Sequence, residues 1–175
     1  EFFEPTNFCE NVTCIDWHNN VILSTFSNGK VGIYDERVPN CSFIGIIDAH
    51  EDSAITISVN RLNENIFVST GNENTVKIWD FRNFDVSGKT KNLLTYREHE
   101  SAIRGLSWCP NDPNIIATGG GMADRMLRIW NVNTGETIKS VSIGSQICNM
   151  FWNKEYNEIL ITCGNLKIIL HFGTL

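Results

Sequence analysis

The feature that most restricts what this chain can fold into is a pattern that returns along it. Residues 98–132 read EHESAIRGLSWCPNDPNIIATGGGMADRMLRIWNV, where three short apolar runs, 102–108, 114–118 and 126–130, are separated by CPNDP and GGGMAD. Short apolar runs bounded by Pro, Gly, Asn and Asp read as strands joined by tight turns, hence an antiparallel meander. The second and third runs alternate enough to bury one side chain in two. The design recurs over 11–36 around the turns HNN and SNG, over 54–80 around RLNEN and GNEN, and again from Gln146 onward. Asp35, Asp80 and Asn131 close the first three copies and lie 45 and 51 positions apart. Self-similarity at that period marks a repeat architecture, here with units near 12–36, 54–80, 99–131 and 146–170.

The polar residues inside the copies follow the repeat. The third copy has His99, Thr118, Asp124 and Trp130; the second has His50, Ser69, Glu73 and Trp79. A buried imidazole, hydroxyl, carboxylate and indole N–H can satisfy one another completely, which ties the outer strands of a sheet to its inner ones. The first copy has Ser24, Asn28 and Tyr34 but no upstream His, and the fourth lacks both His and Trp, as terminal units of an array often do. The structural reading of these groups outweighs a catalytic one. Ser107, His99 and Asp124 are the residue types of a hydrolytic triad, but Ser107 has no Gly-x-Ser-x-Gly elbow and sits inside a strand between Leu106 and Trp108. The glycines at 119–121 are not followed by Gly-Lys-Ser/Thr and a helix, so they read as a turn and not a phosphate cradle. His18 and His171 have no neighbours that make a metal site. The expectation is no enzyme, no cofactor and no metal.

Composition narrows the class further. Over 175 residues, 42% hydrophobic and 19% charged side chains indicate a packed core, and five Trp with ten Phe suit an all-β protein. A net charge of −6 argues against a nucleic-acid partner. There is no long apolar span, so no membrane association is expected. Six cysteines without a C-x-x-C pair indicate free thiols in a reducing, intracellular compartment. Residues 84–94 read as a polar surface connector, and an Asn-Thr-Gly-Glu turn at 133–136 leads into an outer strand at 137–141.

From its His to its Trp, the third copy resembles a blade of a WD-repeat propeller. More narrowly, LSWCP, ATGGG, Asp124-Arg125, RIWNV and SQICNMFW, with Asp35-Glu36-Arg37-Val38-Pro39 in the first copy, are similar to the Fizzy or cell division cycle protein 20 type co-activators of the anaphase-promoting complex. The resemblance spans roughly residues 12–170 and is most specific in the third copy. It implies an all-β WD-repeat β-propeller, with about four blades of a seven-bladed ring. It also implies a substrate receptor of a ubiquitin ligase in cell-cycle control, located in nucleus and cytoplasm. The partners would be anaphase-promoting complex subunits and degron-bearing substrates or inhibitors. The family's Lys-Glu-Asn box site, transferred by motif, falls on Asn72, Asn74, Met122 and Gln146. Met122 stands where the family has Thr and Glu73 where it has Asp. The destruction-box groove and the ligase-binding tails would lie outside this chain. Asn28, Asn72 and Asn74 also fit tight turns on their own, because Asn tolerates positive φ. A WD-repeat scaffold from another assembly is the alternative.

Overall fold

The computed structural model of the protein describes residues 10–38, 43–84, 90–156, 158–164 and 167–171. The first sheet comprises β1 (Val12–His18), β2 (Val21–Phe26), β3 (Lys30–Asp35) and β4 (Phe43–Asp48). The second comprises β5 (Ala54–Val59), β6 (Ile66–Gly71), β7 (Val76–Asp80) and β8 (Leu94–Tyr96). The third comprises β9 (Ile103–Trp108), β10 (Ile115–Gly120), β11 (Met126–Asn131) and β12 (Thr137–Ser142). The last comprises β13 (Ile147–Asn153), β14 (Glu158–Cys163) and β15 (Lys167–His171). Within each sheet the strands pair in chain order, so there are three four-stranded meanders and one three-stranded meander. The first strand of each sheet lies beside the first strand of the next, β1 by β5, β5 by β9 and β9 by β13. This is blade-on-blade stacking around an axis that the first strands face.

The cores lie between the sheets. Leu23, Val31 and Ile33 of the first sheet meet Val59 and Phe67 of the second. Val68 and Ile78 of the second meet Ile103 and Trp108 of the third. Leu127 and Ile129 of the third meet Met150 and Trp152 of the last. A middle strand is therefore covered on both faces. Every residue of β6 and of β10 is buried, and so are the four central residues of β11. The alternation expected for the second and third runs is absent for this reason: alternation belongs to a strand with one wet face, and these middle strands have none.

Polar side chains also cross between blades. Asp16 accepts from the Val59 N–H at 2.7 Å and pairs with Arg61, whose guanidinium also donates to the Trp17 carbonyl. Thr70 donates to the Ile103 carbonyl at 2.9 Å. Ser107 accepts from the Trp152 N–H at 3.1 Å. Each bond satisfies a polar group between neighbouring sheets, which holds those sheets at a fixed offset.

Two outer strands, β4 and β8, carry little signal in the sequence. β8 is only three residues long, and β4 is one of several apolar runs with no turn dipeptide ahead of it. Phe84 is also not part of a polar connector. After a short 3₁₀ turn at Phe81–Asn83, capped by Asp80 accepting from the Arg82 N–H, the Phe84 ring packs against Gly45 and joins the first inter-sheet core. Of the 84–94 stretch, residues 85–89 lie outside the described residues.

Ser107→Ala should lower stability by about 1–2 kcal/mol, because it leaves a partly buried N–H of β13 without its acceptor. Urea unfolding measures this, and an unchanged midpoint would refute the inter-blade role.

Candidate functional site

In the third sheet, the Trp130 indole N–H donates to Thr118 Oγ1 at 2.6 Å, and Thr118 Oγ1 lies 2.7 Å from His99 Nε2. His99 Nδ1 meets Asp124 Oδ2. An indole can only donate, so Thr118 accepts from Trp130 and its own hydroxyl proton goes to His99 Nε2. A neutral imidazole in this arrangement carries its proton on Nδ1, toward an ionised Asp124, with Arg128 Nη1 also 2.9 Å from that nitrogen. The Arg128 guanidinium closes the chain, with one nitrogen 2.9 Å from each Asp124 oxygen. The second sheet repeats the arrangement. Trp79 donates to Ser69 at 2.9 Å, Ser69 lies 2.7 Å from His50 Nε2, and His50 Nδ1 lies 2.6 Å from Glu73 Oε1. Thr75 adds a donor to the same Glu73 oxygen at 2.7 Å. Lys77 stands 3.9 Å from that carboxylate and donates to the Ala49 carbonyl.

Thr75, Lys77 and Arg128 were not singled out from sequence, although a readable signal exists: in both copies a basic residue follows the acid by four positions. Asp124 pairs with His99 and Arg128 and not with its neighbour Arg125, which donates to the Met122 carbonyl. The two acids also explain two glycines. A Cβ on Gly120 would lie 1.8 Å from Asp124 Oδ2, and one on Gly71 would lie 2.0 Å from Glu73 Oε2. By register, the residues in that place in the first and last sheets are Phe26 and Cys163, and those sheets have no such acid. In the first sheet the place of the cation is held by Gly32, whose missing side chain makes room for the Phe43 ring. Phe43 packs on Tyr34 with centroids 4.0 Å apart.

The electrostatics agree with this assignment. Burial works to raise the Glu73 carboxyl, but hydrogen bonds from His50 and Thr75 outweigh it and hold Glu73 down at about 2. Burial likewise opposes the ionised Asp124, and the His99 and Arg128 contacts overcome it, so its carboxyl lies below the ordinary range. Burial pushes the His99 imidazole below its usual value, toward the neutral form. Nothing in this arrangement is a nucleophilic triad. His99 Nε2 is occupied by Thr118, and the Ser107 oxygen accepts from Trp152. Among the described residues no cluster of three His, Cys, Asp or Glu side chains could hold a metal ion.

Residues 41–80 and 90–131 match the family model "WD domain, G-beta repeat". This chain is a partial WD-repeat propeller. It is 35% identical over 159 residues to the APC/C activator protein CDH1 of Saccharomyces cerevisiae, a match covering 90% of this chain and 26% of that protein. It is 32% identical over 155 residues to the anaphase-promoting complex subunit cdc20 of Dictyostelium discoideum, covering 87% and 30%. Among solved structures, a chain of a mitotic checkpoint complex is 29% identical with a TM-score of 0.84, over 93% of this chain and 48% of that one. The designed protein Ika4, 19% identical with a TM-score of 0.78 over 99% of this chain and 98% of that one, shows the fold alone. The WD-repeat chain thus spans about a quarter to a third of the curated relatives it matches.

The propeller places Asn72, Asn74, Met122 and Gln146 in loops at one end of its sheets, the end that also holds the His50 and His99 connectors. Asn74 has φ 64°, whereas Asn72 and Asn28 do not adopt positive φ. Asn72 instead donates to Asp52 Oδ2 at 2.7 Å, and Asn28 accepts from the Lys30 N–H. Met122 is 64% exposed. The Gln146 amide lies 3.8 Å from Cys148 Sγ. Cys14, Cys109, Cys148 and Cys163 are free thiols; Cys9 and Cys41 lie outside the described residues.

Two outcomes follow from the networks. Gly120→Ala should cost on the order of 3 kcal/mol, since its Cβ displaces Asp124 from His99. In an Asp124→Ala background the same change should cost at least about 1 kcal/mol less, and additivity in that double-mutant cycle would sink the close-approach explanation. The pH dependence has a definite sign. With His99 depressed, the unfolded chain takes up its proton first, so stability is full above pH 6.5 and declines below it. Glu73 adds a further loss as pH falls from 4.5 toward its folded value of about 2. Unfolding midpoints that stay level from neutral pH down to pH 4 would contradict the neutral, buried assignment of His99.

Proposed function

We propose that this chain is the substrate-receptor part of an anaphase-promoting-complex co-activator, recruiting degron-bearing substrates or inhibitors to the ubiquitin ligase in nucleus and cytoplasm. The observation that carries this reading is the match to proteins named as activators or subunits of that complex across nine-tenths of this chain. The similarity to a chain of a mitotic checkpoint complex favours the same class of partners. The architecture suits recruitment without chemistry. The titratable clusters are used up in holding the sheets together, and the loops at one end are free to dock a peptide.

In this proposal a Lys-Glu-Asn segment lies over Asn72, Asn74, Met122 and Gln146. Amides both donate and accept, so Asn74 and Gln146 can meet the peptide's carboxylate and its own amide. Asn72 gives its N–H to Asp52, which leaves its carbonyl oxygen and the exposed Asp52 carboxylate to face a lysine. Met122 offers a flexible apolar surface where a hydroxyl would add a hydrogen bond.

Titration of a labelled Lys-Glu-Asn peptide against the chain tests the proposal. Asn74→Gly keeps the left-handed backbone relaxed and removes only the amide, and should weaken binding roughly ten-fold, as should Gln146→Ala. Met122→Thr should tighten it. Binding indifferent to all three changes would remove the degron site and leave a WD-repeat scaffold of another assembly.

A further inference from the structure

A cavity of about 380 Å³ opens between the first and second sheets. It lies at the end of the strands away from Asn72, Asn74, Met122 and Gln146. Its walls are the β1–β2 and β5–β6 turns, Arg37 after β3, Ile44 of β4, and Phe81 and Phe84 after β7. Both walls belong to adjacent sheets packed on each other, so the cavity does not arise from an open side of a partial ring. Its volume is at the small end for ligand sites, which suits one or two side chains and not a nucleotide-sized cofactor.

The chemistry of the lining restricts the occupant. Ile33 and Val59 form the floor, and Val21, Ile44 and Phe84 form the sides. At the mouth, Asn20 and Asn65 are fixed by their own carbonyls, which accept from Glu36 and Phe81 N–H groups at 2.9 and 2.8 Å. Their side-chain amides make no hydrogen bond to a described residue. Arg37 is held in place by Asp35, which takes its Nε at 2.8 Å and its Nη2 at 2.5 Å, while Nη1 has no described partner. The other charged pair at the rim, His18 and Glu64, is closed on itself at 2.9 Å. The mouth therefore offers two amides, which suit a peptide main chain, and one fixed cationic donor, which suits a carboxylate, above an apolar floor.

We propose that this cavity docks an extended peptide segment bearing one bulky apolar side chain next to a carboxylate, on the end of the propeller away from the Lys-Glu-Asn loops. The side chain enters between Ile33 and Phe84, the main chain meets Asn20 and Asn65, and the carboxylate meets Arg37. The site is independent of the degron reading, and either can fail without the other.

The smallest probe with all three groups is N-acetyl-L-phenylalanine; its C-terminal amide lacks the carboxylate, and N-acetyl-L-alanine lacks the side chain. Methyl NMR of the chain with labelled Ile and Val should show saturable shifts confined to Val21, Ile33, Ile44 and Val59. The acid should bind tighter than the amide, and the alanine probe should not bind. Arg37→Ala should weaken the acid roughly ten-fold, to the level of the amide, and leave the amide unchanged. Ile44→Trp, on a side chain 40% exposed at the rim, should fill the cavity and abolish binding of both. Equal affinities for the three probes, shifts spread over other methyls, or binding that survives Ile44→Trp would overturn the proposal. If that variant loses its methyl dispersion, the Arg37→Ala comparison decides by itself.

Discussion

The fold depends on the need of a buried indole N–H for an acceptor. Trp79 and Trp130 are almost completely buried between sheets, so each nitrogen must find an oxygen inside the protein. The second strand supplies it as Ser69 or Thr118, and that hydroxyl must then pass its own proton on. A histidine from the preceding connector receives it, and a carboxylate from the next turn receives the histidine's. In the second and third sheets, four separate segments are thereby fixed to one another by one chain of hydrogen bonds. Apolar packing supplies most of the driving force but no direction, and it would tolerate a slipped strand. The proton chain does not, because a one-residue shift turns every link to the opposite face.

Much of this was legible in the sequence. The turn dipeptides and short apolar runs located the first three strands of the first three sheets, and the recurring His, Ser or Thr, Asp or Glu, and Trp identified the two full networks. Other features were hidden for physical reasons. Alternation fails as a guide where both faces are dry, as in β6 and β10. β8 is too short to carry a pattern, and Phe84 seemed to belong to a polar stretch because its partner, Gly45, is 39 residues away in the chain. The cations Lys77 and Arg128 looked like ordinary outward-facing strand residues, since each reaches its acid only once the turn between them is folded. The loop residues Asn72 and Asn74 look alike in sequence. Only the folded chain shows that Asn74 adopts φ 64° and that the Asn72 side chain is anchored to Asp52.

Stacked sheets divide their tasks by position. The faces are used for packing, the first strands for inter-blade bonds such as Asp16 to Val59, and only the loops at the two ends remain free to differ between copies. Changes in those loops need not disturb the interior. Glu73 in place of the shorter acid shows how tightly the interior is limited. The extra methylene fits because Gly71 leaves room for the second carboxylate oxygen.

The aromatic cluster of the first sheet has a consequence of its own. With Phe43 over Gly32 and Phe26 where the second and third sheets have glycine, that sheet is tied at this place by packed rings and not by a proton chain. The second and third sheets carry that chain instead. Acid that protonates His99 therefore acts on the third sheet directly, while the ring packing of the first sheet holds no group of that chain to titrate.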